Sequence, residues 1–167
     1  GGLAIGDRVV TGGLGGAFAE YGAYAASRAR KIPDHLDFAA AAAVGSAYLT
    51  AYVSLVRRAN IQPGEWLLVH GAAGGVGLAA VDLGKHLGAK VIAAASSDEK
   101  LAVIEKAYSP EVCLNSSDGF RLKVKEITGG GADVIYDPVG GDVFDESVRC
   151  IGFDGRLLVV GFASGRI

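Results

Sequence analysis

Trp66-Leu67-Leu68-Val69-His70-Gly71-Ala72-Ala73-Gly74-Gly75-Val76-Gly77 is a short apolar run that passes into a glycine-rich turn and then opens a helix. A dinucleotide-binding turn needs this context. Small residues let the backbone approach a pyrophosphate, and the free N–H groups at the positive end of the helix hold its charge. A second strand, Lys90 to Ala95, follows the helix.

The pattern then alternates. Helices are expected over Gly75–Leu87, from a Ser96 cap with Glu99 to Tyr108, over Asp118–Thr128 and over Gly141–Ile151. Strands are expected at Trp66–His70, Lys90–Ala95, Glu111–Asn115, Ala132–Tyr136 and Arg156–Val160. Five strands with four intervening helices predict an α/β fold, a doubly wound parallel sheet. Upstream, Arg8–Thr11 and Ala17–Tyr24 have strand character around a connector containing Gly12, Gly13, Gly15 and Gly16. Asp34 or Asp37 caps an apolar helix that ends near Arg57-Arg58-Ala59-Asn60.

The chain has 167 residues, half of them hydrophobic (50%), and a net charge of -2. That suits one domain with a substantial core. There is no basic tract, so nucleic acid is not the expected partner. Cys113 and Cys150 match no metal spacing and suit buried roles in a reducing, cytoplasmic compartment. Phe38 to Val56 carries no charge and is long enough to span a bilayer. It is alanine-rich and holds Gly45, Ser46, Thr50 and Ser54, so a buried helix rather than a membrane span is expected. Gly1-Gly2-Leu3-Ala4 does not read as a signal peptide, and both chain ends read as cuts within a longer polypeptide.

Several stretches together resemble the zinc-independent quinone oxidoreductases of the medium-chain dehydrogenase/reductase superfamily. They are Gly6-Asp7-Arg8-Val9, Gly16-Ala17-Phe18-Ala19-Glu20-Tyr21, Lys31-Ile32-Pro33, Leu49-Thr50-Ala51-Tyr52, the Ala72–Gly77 turn and Tyr136-Asp137-Pro138-Val139-Gly140-Gly141. The resemblance implies that residues 1–35 are the tail of a mostly-β, GroES-like catalytic domain. Residues 36–60 would be a linking helix, and 61–167 a Rossmann domain without its sixth strand. It implies hydride transfer to a quinone or activated alkene, and a homodimer in the full-length protein. A zinc-free enoyl reductase and a non-catalytic NADPH-binding protein with a structural or RNA-binding role are the alternatives.

Candidate cofactor residues follow. Ala73, Gly74, Gly75 and Val76 form the turn. Ser96 and Ser97 end the second strand where an acid would bind the ribose of NAD and repel a 2′-phosphate. With Lys100 one helical turn on, they can receive a phosphate, which favours NADPH; the resemblance places Lys100 at that phosphate. Alternatively, Ser96 only caps the helix and Lys100 is a solvated lysine. Ser116 departs from relatives that have a tyrosine nearby. By resemblance, Val139, Gly161, Phe162 and Ala163 lie along the nicotinamide half, and Thr50 contacts its end; a hydroxyl bonded back to the preceding turn is the other reading of Thr50. Ser46 stands where zinc-dependent members carry a cysteine, and serine is a poor zinc ligand. Asp137 reads as a turn cap rather than a base, His70 as a packed histidine, His86 as solvated, and Tyr48 and Tyr52 as core. No catalytic acid or base stands out.

Overall fold

The computed structural model describes residues 2–12 and 15–166, so Gly13 of the predicted connector lies outside the described residues. Contacts divide the chain into Gly1–Gly45 and Ser46–Ile167.

In the first unit, β1 (Val9–Val10) pairs antiparallel with β2 (Arg30–Lys31). The Arg8 guanidinium donates to the carbonyls of Asp34 and Leu36, and Lys31 meets Asp7 at 2.8 Å. These bonds hold residues 30–36 against the first strand. The strand expected over Ala17–Tyr24 does not form. Phe18 and Tyr21 are both exposed, and three residues apart they fall on opposite faces of an extended chain. Aromatic content gives strand character, but without a period of two there is no single face to bury. Asp37 caps α1 (Phe38–Tyr52), its Oδ1 accepting from Ala40 N–H at 2.7 Å.

Helix α1 runs on as a wider π-helical segment, Val53–Arg58. Within Phe38–Arg58 an 18-residue stretch has a mean hydropathy of 1.5, so by length and composition it could cross a membrane. The expected burial is not found: only 17% of this stretch is buried. From Ser46 on, one stripe faces the core, with Ala51 and Leu55 buried and Ala47 and Tyr48 packed beside them. That spacing of three to four residues is one helical face. Leu49, Tyr52 and Val53 lie on the other side and are exposed, so the expectation of Tyr52 as a core residue fails.

The second unit is the predicted parallel sheet. Its strands are β3 (Trp66–Val69), β4 (Lys90–Ala95), β5 (Val112–Asn115), β6 (Ala132–Asp137) and β7 (Ile151–Val159), in the order β5-β4-β3-β6-β7. The connecting helices are α2 (Gly75–His86), α3 (Asp98–Tyr108), α4 (Arg121–Thr128) and α5 (Asp142–Ser147). Alternate strand residues supply the two sides of the core. Leu67, Val69, Val91, Ala93, Val134 and Tyr136 pack with α2 and α3. Leu68, Ile92, Leu114 and Ile135 pack with Phe120, Val124 and Cys150. Such double-sided burial explains why the strands read as continuous apolar runs. Glu65 and Arg156 tie β7 to the turn before β3 by two N–H···O bonds of 2.9 and 2.7 Å, and Arg156 Nε donates to the Ala59 carbonyl at 3.1 Å.

Three boundaries lie well away from expectation. Helix α4 begins at Arg121 rather than Asp118, because Phe120 turns into the core and its N–H donates to Glu146. Helix α5 stops at Ser147, and β7 starts already at Ile151. The early part of β7 is irregular against β6. Gly131 sits there at φ +155, with Gly152 N only 2.6 Å from where a Cβ would be. Glycine permits both the backbone angle and the approach.

Candidate functional site

Strand β3 has neighbours on both sides: the chain leaves it for β4 and β5 on one side, then crosses back from β5 to place β6 and β7 on the other. The crevice at the carboxyl ends of such strands is where open α/β sheets bind ligands. Every element described in this section belongs to the second unit.

The turn after β3 is held by main-chain bonds on both sides. His70 N–H donates to Tyr136 O and Ala72 N–H to Ala94 O, each at 3.0 Å. Gly71 takes φ +54, and Gly74 N–H closes the turn on its carbonyl at 2.9 Å. A Cβ on Gly77 would lie 2.3 Å from Gly71 O and 2.8 Å from Ala72 Cα. The helix therefore presses directly on the turn. Gly74 is the N-cap of α2 and brings no side-chain acceptor. The first N–H groups of α2 are left without a side-chain cap, at the positive end of a 12-residue helix.

Above this turn lies a cavity of about 480 Å³. Its floor is Gly71, Ala73, Gly74 and Val76. One end is closed by Ala95, Ser96 and Lys100, the other by Pro138, Val139 and Ala163. Seven of the residues singled out in the sequence thus meet here: Ala73, Gly74, Val76, Ser96, Lys100, Val139 and Ala163. Gly71 and Pro138 were missed; the glycine before the turn and the proline after β6 were the available signals.

The remaining candidates lie elsewhere. Gly75 opens α2 but does not line the cavity. Gly161 packs its backbone against Pro138, whose carbonyl lies 3.1 Å from where a Gly161 Cβ would be. Phe162 faces Gly140 and lines a separate apolar notch of about 170 Å³ with Phe144 and Val159. The Thr50 hydroxyl donates to the Ser46 carbonyl at 2.8 Å, the back-bonded reading, and Thr50 does not line the cavity.

The expected Ser96 cap is corrected. The N-cap of α3 is Ser97, whose Oγ faces Lys100 N–H at 3.5 Å. Ser97 also hydrogen-bonds Glu99 and holds that carboxyl below the usual range. One residue of shift matters, because it releases the Ser96 hydroxyl to the cavity. Lys100 Nζ donates to Ser96 Oγ at 3.1 Å, so an ammonium and a hydroxyl stand together at this corner.

At the opposite corner Asp137 is fully buried. Its Oδ1 accepts from Val139 N–H at 2.8 Å and Gly140 N–H at 3.0 Å, which makes it the expected turn cap. The next loop is tied over it: Ala163 N–H donates to Pro138 O at 3.1 Å and Ser164 N–H to Val139 O at 2.9 Å. His70 is 2% exposed and rests against the Phe120 ring at 4.6 Å. The Ser147 hydroxyl donates to Val143 O, so His70 Nε2–H is the donor to Ser147 Oγ at 2.9 Å. Burial pushes the imidazole down to about 4, neutral and packed as expected. His86 is exposed. Tyr48 is partly buried and donates to Asp82, and its phenol is raised by burial and that carboxylate. Cys150 is buried, whereas Cys113 is only partly so, its thiol facing Glu105 at 3.2 Å and pushed up to about 11.

Residues 75–167 match the zinc-binding dehydrogenase family. The chain is similar to a quinone oxidoreductase-like protein 2 homolog of Nematostella vectensis, 45% identical over 99% of this chain and 46% of that protein. It is 39% identical to a fungal highly reducing polyketide synthase over 96% of this chain but 6% of the synthase. A mycobacterial protein solved with NADPH superposes with a TM-score of 0.90 at 36% identity, over 99% of this chain and 51% of that one. The chain thus spans about half the length of the quinone oxidoreductase-like relative it matches. Among the described residues no three His, Cys, Asp or Glu side chains gather as a metal-holding group. Fold, turn and sequence match agree, and the chain belongs to the zinc-binding dehydrogenase family, in its zinc-independent quinone oxidoreductase branch of the medium-chain dehydrogenase/reductase superfamily.

Proposed function

We propose that the chain is the nucleotide-binding part of an NADPH-dependent oxidoreductase that reduces a quinone or an alkene conjugated to a carbonyl. The observation that carries this reading is the Lys100–Ser96 pair at the end of β4, where an NAD-binding site would hold an acid. An ammonium donor and a hydroxyl suit a 2′-phosphate; a carboxylate would repel it. The mycobacterial neighbour solved with NADPH supports the same reading.

The cavity fits such a ligand. The uncapped N–H groups of α2 and the glycine floor would hold the pyrophosphate. The loop at Val139, fixed from below by Asp137, would back the nicotinamide. Bound NADPH supplies a hydride to the acceptor. Among the described lining residues Lys100 is the one charged side chain, and it stands at the other end, away from Val139. An electron-poor acceptor needs little help from a side-chain proton donor, and the proton can come from water. The described protein contributes position and electrostatics.

The similarity to a polyketide synthase over nearly the whole chain supports a second reading, in which the alkene is an enoyl thioester. Self-association is also part of the proposal. β7 is the edge of the sheet, and Phe153 on it is fully exposed.

Titration of NADPH and NADH by nucleotide fluorescence tests the cofactor. In Lys100→Ala, NADPH should weaken about tenfold while NADH changes less than about twofold, since one charge-assisted contact is worth roughly 1.4 kcal/mol or more. Equal losses for both cofactors would remove the reading. Turnover by the intact protein with a quinone panel and an enoyl thioester then separates the two acceptors.

A further inference from the structure

The phosphate corner has a carboxylate beside it that does not enter it. Asp98 is the first residue of α3, two positions after Ser96 and two before Lys100. It is exposed, and an acid in this first turn is favoured by the helix dipole. Its charge would nevertheless oppose a 2′-phosphate bound by Ser96 and Lys100.

The structure holds that carboxylate elsewhere. Asn115 Nδ2 donates to Asp98 Oδ1 at 2.7 Å. The orientation of the amide is fixed from its other side. Asn115 Oδ1 accepts from Ser117 N–H at 3.1 Å and from Ser117 Oγ at 2.7 Å. A backbone N–H can only donate, so the oxygen faces Ser117 and the NH₂ faces Asp98. The end of β5 is anchored in turn. Asn115 pairs with Ala95, and Ser116 donates from both N–H and Oγ to the Ala95 carbonyl at 2.9 and 3.2 Å. Ser117, Asn115 and Asp98 form one chain of contacts pinned to the strand end that bears Ser96.

We infer that Asn115 is a specificity-determining positioning residue, which draws the Asp98 carboxylate toward β5 and keeps the corner open to a 2′-phosphate. The inference rests on the NADPH reading above. Released, Asp98 is free to turn toward the ribose, where a carboxylate accepts from the 2′-hydroxyl of NADH and repels NADPH. Asn115 does not line the cavity, so the effect falls on the ratio of the two affinities.

The test measures dissociation constants of NADPH and NADH for the full chain, for Asn115→Ala, for Asp98→Asn and for the double variant. The preference for NADPH should fall about fivefold in Asn115→Ala and return to within about twofold of the parent when Asp98→Asn is added. A structural lesion alone would weaken both cofactors and would not be rescued by neutralising Asp98. Asn115→Ser, too short to reach Asp98, replaces the alanine variant if that one does not fold. A parent preference that neither Asn115 variant alters would overturn the inference, as would a loss that Asp98→Asn fails to restore. Equal affinity of the parent for both cofactors would instead overturn the NADPH reading, and the inference with it.

Discussion

Two glycines of α2 show how much a single missing Cβ can mean. At Gly77 every near neighbour is backbone, with Gly71 O at 2.3 Å. At Gly84 the near atom is Leu67 Cδ2 at 2.5 Å, the far end of a side chain that can rotate. Gly77→Ala must therefore push the turn away from the helix, at about 3 kcal/mol or more, and should also abolish measurable NADPH binding. Gly84→Ala also strains the core but gains up to about 1 kcal/mol of helix propensity, so its net change should stay within about 1 kcal/mol. Thermal unfolding of both variants checks the contrast. The importance of Gly77 was legible from its place in the turn. That of Gly84 was not, because nothing local marks which helix residue meets Leu67. The same limit separates Ser96 from Ser97: both precede an acidic first turn, and only the entry angle of α3 decides which one caps. The Asn115–Asp98 contact joins two elements far apart in the chain and left no trace in the sequence pattern.

At the scale of elements, the parallel strands were readable because both faces are buried and each run is apolar throughout. The segment Ala17–Tyr24 has the aromatic residues of a strand without a period of two, and does not form one. Helix α1 was misjudged for a related reason. Its uniform alanine content hides which side is buried; from Ser46 on, the stripe through Ala51 and on to Leu55 packs inward. The placement of β7 depends on a side chain at its centre. Arg156 holds Glu65 through two nitrogens and Ala59 O through the third. This guanidinium also keeps the Glu65 carboxyl below its usual range. Lysine can offer one point contact in place of that fork. Arg156→Lys should lower stability by about 1–2 kcal/mol in urea unfolding, and should leave NADPH affinity within about twofold, since neither residue lines the cavity.

For the molecule as a whole, sheet order is what brings the candidate site together. Ser96 and Lys100 come from one side of β3, Val139 and Ala163 from the other, and the turn lies between them. Alternating strands and helices predict this doubly wound order, so the location of the crevice was legible even where individual contacts were not. The same order also bears on the time course of folding. Leu67 pairs with Val91 across a single helix, whereas its partner on the other side, Val134, arrives only after β4, α3, β5 and α4. Closing the longer loop costs more chain entropy, so β3, β4 and β5 are expected to assemble before β6 and β7 dock. A chevron comparison reads this directly. Val91→Ala should slow refolding, while Val134→Ala, buried to the same degree, should chiefly accelerate unfolding. The Ser96–Lys100 corner would then exist on a half-built sheet before the Val139 wall arrives, so a nascent chain would carry one end of the proposed nucleotide site before the cleft is complete.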